Sequence, residues 1–218
     1  MIESITFDKV NPRVFDDAPA GASSKVWNSL ITFRRGVSYL VEAGSGRGKS
    51  SFCSFLYGLR NDFSGTVYYE KSGGEVLSHP ECDFVSLRRN SLSMMFQDLR
   101  LFQELSPVDN VMLKNRLTGF ASEATVRDML CRVGLEERME VPCARLSFGQ
   151  QQRVAFVRAL CQPFDFILLD EPVSHLDTGN ALVMGEMLRE RQMQSGAGVI
   201  VTSIGYRMPY RYDVCLQL

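Results

Sequence analysis

Histidine is scarce in this chain: 218 residues carry two, His79 and His175. That scarcity excludes a histidine-rich metal centre, which needs several imidazoles at fixed spacing. Six cysteines (Cys53, Cys82, Cys131, Cys143, Cys161, Cys215) are scattered without a CxxC pair. They read as buried thiols in a reducing compartment, not as a disulfide or zinc framework. Neither sign of charge dominates: 24 basic against 25 acidic residues leave a formal net charge of -1, which gives no electrostatic case for nucleic acid as the main partner. No apolar run approaches the ~20 residues that span a bilayer. The start, MIESITFDKV, lacks the basic and apolar regions of a signal peptide. The expectation is a cytoplasmic chain that reaches a membrane only through a partner. Internal repeats and sustained heptads are also missing, so a long coiled-coil arm is disfavoured.

What is present is ordinary globular material, 45% hydrophobic and 22% charged, with enough length for one domain or a domain plus a subdomain. Residues 2–7 and 26–33 alternate as strands do, separated by the loop DDAPAGASS (16–24). VSYLV (37–41) is a nearly continuous apolar run, as in a buried strand. TVYYE and EVLS flank the hairpin turn KSGG (71–74), and SLSMMF (91–96) is a further strand. From Pro107 to Val133 the pattern turns helical, with Val126, Met129, Leu130 and Val133 on one face. FILLD, a helix near 179–194, VIVTS and VCLQL complete an alternation of strand and helix. The order predicts an α/β fold with a mostly parallel sheet, an antiparallel β edge near the N-terminus and a helical insertion around 105–145.

Residues 43–51 read AGSGRGKSS, between the strand VSYLV and a helix on which Phe52, Phe55, Leu56 and Leu59 recur at helical spacing. Strand, small-residue loop, helix is the context of a phosphate-binding P-loop, where backbone N–H groups and the positive helix end converge on β- and γ-phosphates. The candidate nucleotide-binding residues are Ala43, Gly44, Ser45, Gly46, Arg47, Gly48, Lys49, Ser50 and Ser51. Lys49 would neutralise the phosphates, and the Ser50 hydroxyl would ligate Mg²⁺. Ala43 stands where the strict pattern wants glycine, which costs little if its φ is negative.

FDFILLDEP (164–172) is an apolar run ending in two carboxylates. A buried parallel strand delivers Asp170 and Glu171 at its C-terminal end, where α/β sheets bind ligands. Asp170 would hold Mg²⁺ through its water shell, and Glu171 would polarise an attacking water. Between these motifs lies LSFGQQQRVAFVRAL (146–160), in which Ser147 followed by Gln150 reads as a capped helix start able to bind an anion.

The series P-loop, Gln97 in MMFQDLRLF, LSFGQQQR, ILLDEP and SHLD (174–177) resembles, in order and spacing, the ATP-binding cassette (ABC) ATPase family. The likeness covers nearly the whole chain, and the LSxGQ element is more specific than the P-loop. It implies a P-loop NTPase core over roughly 1–96 and 147–218, with a helical signature subdomain over roughly 97–146. It also implies a head-to-tail dimer with two ATPs at the interface, each held by the P-loop of one subunit and the signature helix of the other. On matching positions Ser147, Phe148, Gly149 and Gln150 form the signature that meets the partner's ATP. Gln97 would sense Mg²⁺ and the γ-phosphate, and Asp177 would close the loop that crosses the dimer. Phe15 is the candidate for stacking on adenine, against the alternative of plain packing at a sheet edge.

Two positions depart from the family pattern. Phe148 replaces a common glycine, with Ser147 and Gly149 retained. Ser203, in VIVTSIGYR, occupies the place where the family carries a histidine that donates to the γ-phosphate, and no histidine follows His175. A serine hydroxyl is shorter than imidazole and uncharged, so turnover should fall more than nucleotide binding. His175 is either an ordinary solvated loop residue or a replacement acting from the partner subunit. The resemblance extends to the cassettes of lipoprotein-release, macrolide-export and cell-division permease systems. It implies an ATPase subunit at the inner face of a membrane, bound to a permease and to a second cassette as homo- or heterodimer. The alternative is a regulatory or soluble ABC protein with slow or absent hydrolysis.

Overall fold

The computed structural model describes residues 1–15, 24–44 and 46–218. Two sheets carry the fold. The first is antiparallel, in the order β2 (Leu30–Arg34), β1 (Ile2–Pro12), β4 (Phe63–Lys71) and β5 (Val76–Ser78). The second is parallel throughout, in the order β6 (Leu92–Met95), β7 (Phe166–Asp170), β8 (Gly198–Ser203), β3 (Ser38–Glu42) and β9 (Val214–Gln217). Among the described residues six α-helices complete it: α1 (Lys49–Leu56), α2 (Phe84–Asn90), α3 (Pro107–Asn115), α4 (Glu123–Arg132), α5 (Phe148–Leu160) and α6 (Thr178–Ser195).

The parallel sheet is buried on both faces, which explains why FILLD and GVIVTS are apolar without polar alternation. Successive side chains still point to opposite sides. Leu40, Ile167, Leu169, Val199 and Val201 enter a core built with α3, α4, α5 and α6. Tyr39, Val41, Phe166, Leu168 and Ile200 enter a second core, shared with α1 and the antiparallel sheet. The chain thus presents the C-terminal ends of β3, β7 and β8 side by side, between two packed layers.

Two local readings of the sequence are corrected, and a third element, α2, has no signal in the sequence. The strand expected at 26–33 begins at Leu30, because Val26 and Trp27 sit in a turn: their N–H groups donate to the Ser24 hydroxyl at 3.2 and 2.8 Å, and Asn28 takes a left-handed φ of 57°. Their burial is that of a turn folded onto the core, not of strand alternation. The helical stretch 107–133 divides into α3 and α4, where the Asn115 side chain hydrogen-bonds both backbone groups of Ala121 and Gly119 adopts φ 61°. Val126, Leu130 and Val133 of the expected face are buried, with Met129 packed beside them. Helix α2 has no apolar periodicity, since only Leu87 is buried; its start is set instead by Asp83, which accepts from the N–H groups of Val85 and Ser86.

Between α3 and the parallel sheet runs a groove of about 270 Å³, lined by apolar Met94, Phe96, Phe102 and Leu113 and by the cations Arg100, Lys114 and Arg158. Arg158, reaching from α5, donates to the carbonyls of Leu99 and Arg100, both held at positive φ. The Lys114 ammonium lies 3.4 Å from the Ser93 hydroxyl. Burial, with the nearby Arg158 charge, pushes Lys114 down to about 7. The charged form is disfavoured in the folded state, so wild-type stability should rise as pH climbs from about 7 toward about 10, the range in which only the unfolded chain keeps this proton. Lys114→Met should therefore be more stable than wild type at and below neutral pH, with the gap closing at alkaline pH. Urea denaturation of both proteins across this range checks it; a gap independent of pH would place the ammonium in solvent.

Candidate nucleotide site

The loop after β3 turns through left-handed Gly46 (φ 75°) and Gly48 (φ 92°), the latter capping α1. Gly48 is required sterically as well: a Cβ there would stand 3.1 Å from the Phe15 ring and 3.2 Å from Trp27. Ala43 is not among the residues of positive φ, so its methyl group is tolerated. Its N–H donates to the Ser203 carbonyl at 3.2 Å and ties the loop to β8. The Lys49 ammonium is held at the loop's centre, 3.0 Å from the carbonyls of both Ala43 and Gly44 and 3.5 Å from Glu171 Oε1. Ser45 lies outside the described residues.

A cleft of about 300 Å³ opens over this loop, lined by Phe15, Gly46, Gly48, Lys49, Ser50 and Ser51 together with Gln97 and Glu171. Phe15 is thus brought beside the glycine-rich loop by the short turn Arg13–Phe15 that follows β1. Arg47 is exposed at the loop's outer turn, its N–H directed to the Gly44 carbonyl at 3.4 Å. Trp27 was not singled out in the sequence, although it is the only tryptophan. Its indole N–H donates to the Arg47 carbonyl at 3.3 Å while its ring packs on Phe7, Phe52 and Phe55. It supports the loop from below.

Side chains from four separated segments converge here. Ser50 Oγ donates to Gln97 Oε1 at 3.3 Å, and Gln97 Nε2 donates to Glu171 Oε2 at 3.3 Å. Asp170, buried at the end of β7, accepts from the Thr202 hydroxyl. Burial raises the Asp170 pKa, with partial relief from Thr202, Ser50 and Lys49. The same Thr202 oxygen accepts the Glu171 N–H at 3.2 Å. Glu171 has a φ of 51°, a costly conformation for a residue with a Cβ, of the kind concentrated at functional sites. It turns the carboxylate off the strand axis toward Lys49 and Gln97. Thr202 escaped sequence reasoning because a threonine in an apolar strand is unremarkable until its neighbour in the sheet is known to be Asp170.

Ser50 Oγ, Gln97 Oε1 and Asp170 are hard oxygen donors on the wall of one adjoining cavity of about 240 Å³. This set suits a small divalent cation such as Mg²⁺ that keeps several waters.

The signature residues stand elsewhere: among the described residues, none of Ser147, Phe148, Gly149 or Gln150 lines the cleft. Ser147 caps α5 reciprocally, its N–H donating to Gln150 Oε1 at 2.9 Å and its hydroxyl accepting from the Gln150 N–H at 3.3 Å. Asp177 caps α6 by accepting the Asn180 N–H at 2.9 Å. The loop between Glu171 and Asp177 packs directly on α5: a Cβ on Gly149 would come within 3.0 Å of the His175 carbonyl. Ser203 is buried at the end of β8, its hydroxyl donating to the Tyr206 carbonyl at 2.8 Å and accepting from the Gly205 N–H at 3.0 Å. Its one proton is therefore used within its own turn.

The family model described as ABC transporter matches residues 28–174. The lipoprotein-releasing system ATP-binding protein LolD 1 of Caulobacter vibrioides is 34% identical over 175 residues, covering 78% of this chain and 74% of that protein. The macrolide export ATP-binding/permease protein MacB of Hahella chejuensis is 37% identical over 162 residues, covering 72% of this chain and 24% of the larger protein. A dimeric bacterial ABC transporter cassette superposes with a TM-score of 0.75 over 91% of this chain and 87% of its own, at 24% identity.

Because Trp27 touches the loop, its emission should change and saturate as ATP is added. Gly48→Ala forces a strained φ and a contact with Phe15 and Trp27, and should weaken the titrated affinity about tenfold or more. An unchanged affinity would mean that the loop's curvature does not matter to binding.

Proposed function

The chain belongs to the ABC transporter family, and from that premise we propose that it is the ATP-hydrolysing subunit of a membrane complex, working as a dimer of cassettes. One observation carries the proposal: Lys49 and Ser50, Gln97, and Glu171, three stretches remote in sequence, form a single connected polar chain at the lip of the P-loop cleft. A solvated Gly-rich turn beside an unrelated acidic strand end would have no reason to share it.

The proposed roles follow from position. Backbone N–H groups of residues 43–51 and the start of α1 hold the phosphates, and Lys49 offsets their charge. Phe15 offers a ring face to the base. Ser50, Gln97 and Asp170 would hold Mg²⁺, which when bound neutralises the β- and γ-phosphate oxygens. Glu171, fixed by Gln97 and by its Thr202-anchored backbone, orients the attacking water and accepts its proton. Ser147, Gly149 and Gln150, with Phe148 beside them, present the capped start of α5 to the ATP of a second cassette. Asp177 fixes the loop between the two sites.

The groove beneath α3 supports the membrane part of the reading. Among the described residues no helix is long and apolar enough to cross a membrane, so attachment at the cytoplasmic face is assigned to a permease. We take the segment 97–146, which forms one wall of the groove, as the subdomain that grips it. The likeness to LolD and MacB favours a permease of the lipoprotein-release or macrolide-export kind.

Steady-state ATP hydrolysis by the purified chain tests the proposal. Glu171→Gln should lower turnover by about 10²-fold or more while ATP binding persists. Retained turnover in that variant would remove Glu171 from the chemistry, and absent ATP binding in the wild type would remove the proposal itself.

A further inference from the structure

We propose that His175 donates, across the dimer interface, the hydrogen bond to the γ-phosphate that the Ser203 position does not supply. The inference rests on the reading of the chain as a cassette that closes with a second copy or a paralogue around ATP.

Ser203 is committed to its own turn, with its proton on the Tyr206 carbonyl. The chain has two histidines. His79 is enclosed by Phe63, Tyr69 and Phe84, and burial lowers its pKa, so it belongs to the core. His175 is exposed, yet it is not loose. Its ring meets the Phe148 ring edge-on, with centroids 4.5 Å apart and planes at 67°. Its Nδ1 lies 2.9 Å from the Ser174 hydroxyl.

A buried residue, Gln152, also touches the hydroxyl that meets the ring. Gln152 Nε2 donates to the Glu171 carbonyl at 3.0 Å and to the Ser174 oxygen at 3.3 Å. With one lone pair engaged by Gln152, the Ser174 hydroxyl still has its own proton to offer to His175 Nδ1. When Ser174 donates to Nδ1, the imidazole carries its hydrogen on Nε2, which is then a donor on an exposed ring. The relay begins at the backbone of Glu171, so the orientation of His175 is linked to the residue that handles the water.

Phe148 supplies an independent observation. It is 45% exposed at the first turn of α5, where a large apolar side chain gains little from burial. Its function in the fold is explained by the ring contact, which fixes the His175 plane. Gly149, pressed on the His175 carbonyl, makes the start of α5 and the 174–177 loop one surface. The signature residues on that surface are those proposed to meet the partner's ATP. An imidazole N–H among them reaches a phosphate that the cleft of its own chain does not present to it.

The test is a double-mutant cycle on the full chain: wild type, His175→Ala, Ser203→His and both together, with His175→Gln as the conservative variant. We expect His175→Ala to lower kcat about tenfold or more, with little change in the KM for ATP. His175→Gln, which keeps an N–H donor, should retain part of the rate. In the Ser203→His background the loss caused by His175→Ala should shrink to about twofold or less, because the donor is restored from the other side. ATP-driven dimerisation, followed by light scattering in the Glu171→Gln background, should be unaffected by His175→Ala. Equal losses in both backgrounds, no loss at all, or a dimer that no longer forms without His175 would each overturn the inference. If Ser203→His does not fold, His175→Gln decides: a rate above that of His175→Ala supports the donor role, and equal rates overturn it. A wild type that neither hydrolyses ATP nor dimerises with it would overturn the functional reading as well, whereas a wild type that does both while His175→Ala behaves identically overturns this inference alone.

Discussion

The position of one ammonium group organises the site. Lys49 stands at the first residue of α1 and is held by two carbonyls of the loop that precedes it and by Glu171 from a strand two places away in the sheet. Each contact imposes a condition on the rest of the molecule. The carbonyls converge only if the loop curls through Gly46 and Gly48, and Gly48 stays free of a side chain because Phe15 and Trp27 occupy that space. Glu171 reaches Lys49 only because its backbone leaves β7 with a positive φ, braced by Thr202 of β8. The parallel register that sets Asp170 beside Thr202 thus braces Glu171 as well as packing the sheet. Buried charges of this kind are tolerated when paired and hydrogen-bonded, and here Lys49 has both kinds of partner.

Two surfaces leave this centre in different directions. One is the cleft, with Ser50, Gln97 and the Phe15 ring. The other is the exposed start of α5 and the loop 174–177, joined to the first through Gln152 and the Glu171 carbonyl. A single chain holds a P-loop on one and a capped helix start on the other. The solved cassette of the same fold is a dimer, and the proposed dimer would bring one surface of each kind together. The groove under α3 is a third surface, and Arg158 of α5 holds the turn at Leu99 and Arg100 that follows Gln97. The groove and Gln97 are therefore joined by a common segment.

Much of this was legible in the sequence, and the limits have physical reasons. Lys49, Ser50, Asp170 and Glu171 were readable because phosphate loops and buried acidic strand ends leave local patterns of small, apolar and charged residues. Ser147 and Gln150 were readable because a capping box is a contact three residues long. Trp27, Gln152 and Thr202 were not, since each acts through a partner distant in sequence. The strand placed at 26–33 failed for a related cause: the burial of Val26 and Trp27 mimics alternation, while the Ser24 hydroxyl and the left-handed Asn28 make a turn. The position of Ser203 is plain in the sequence, whereas its hydroxyl's partners, the Tyr206 carbonyl and the Gly205 N–H, are set by the turn after β8.

The central claim is that this chain closes on ATP with a second cassette, because neither surface is a complete site without the other. Its most direct test is the mass of the Glu171→Gln chain in solution, measured by sedimentation velocity with ATP, with ADP and without nucleotide. The account predicts a dimer with ATP and a monomer in the other two conditions. A monomer under all three, with ATP shown to be bound, would contradict it.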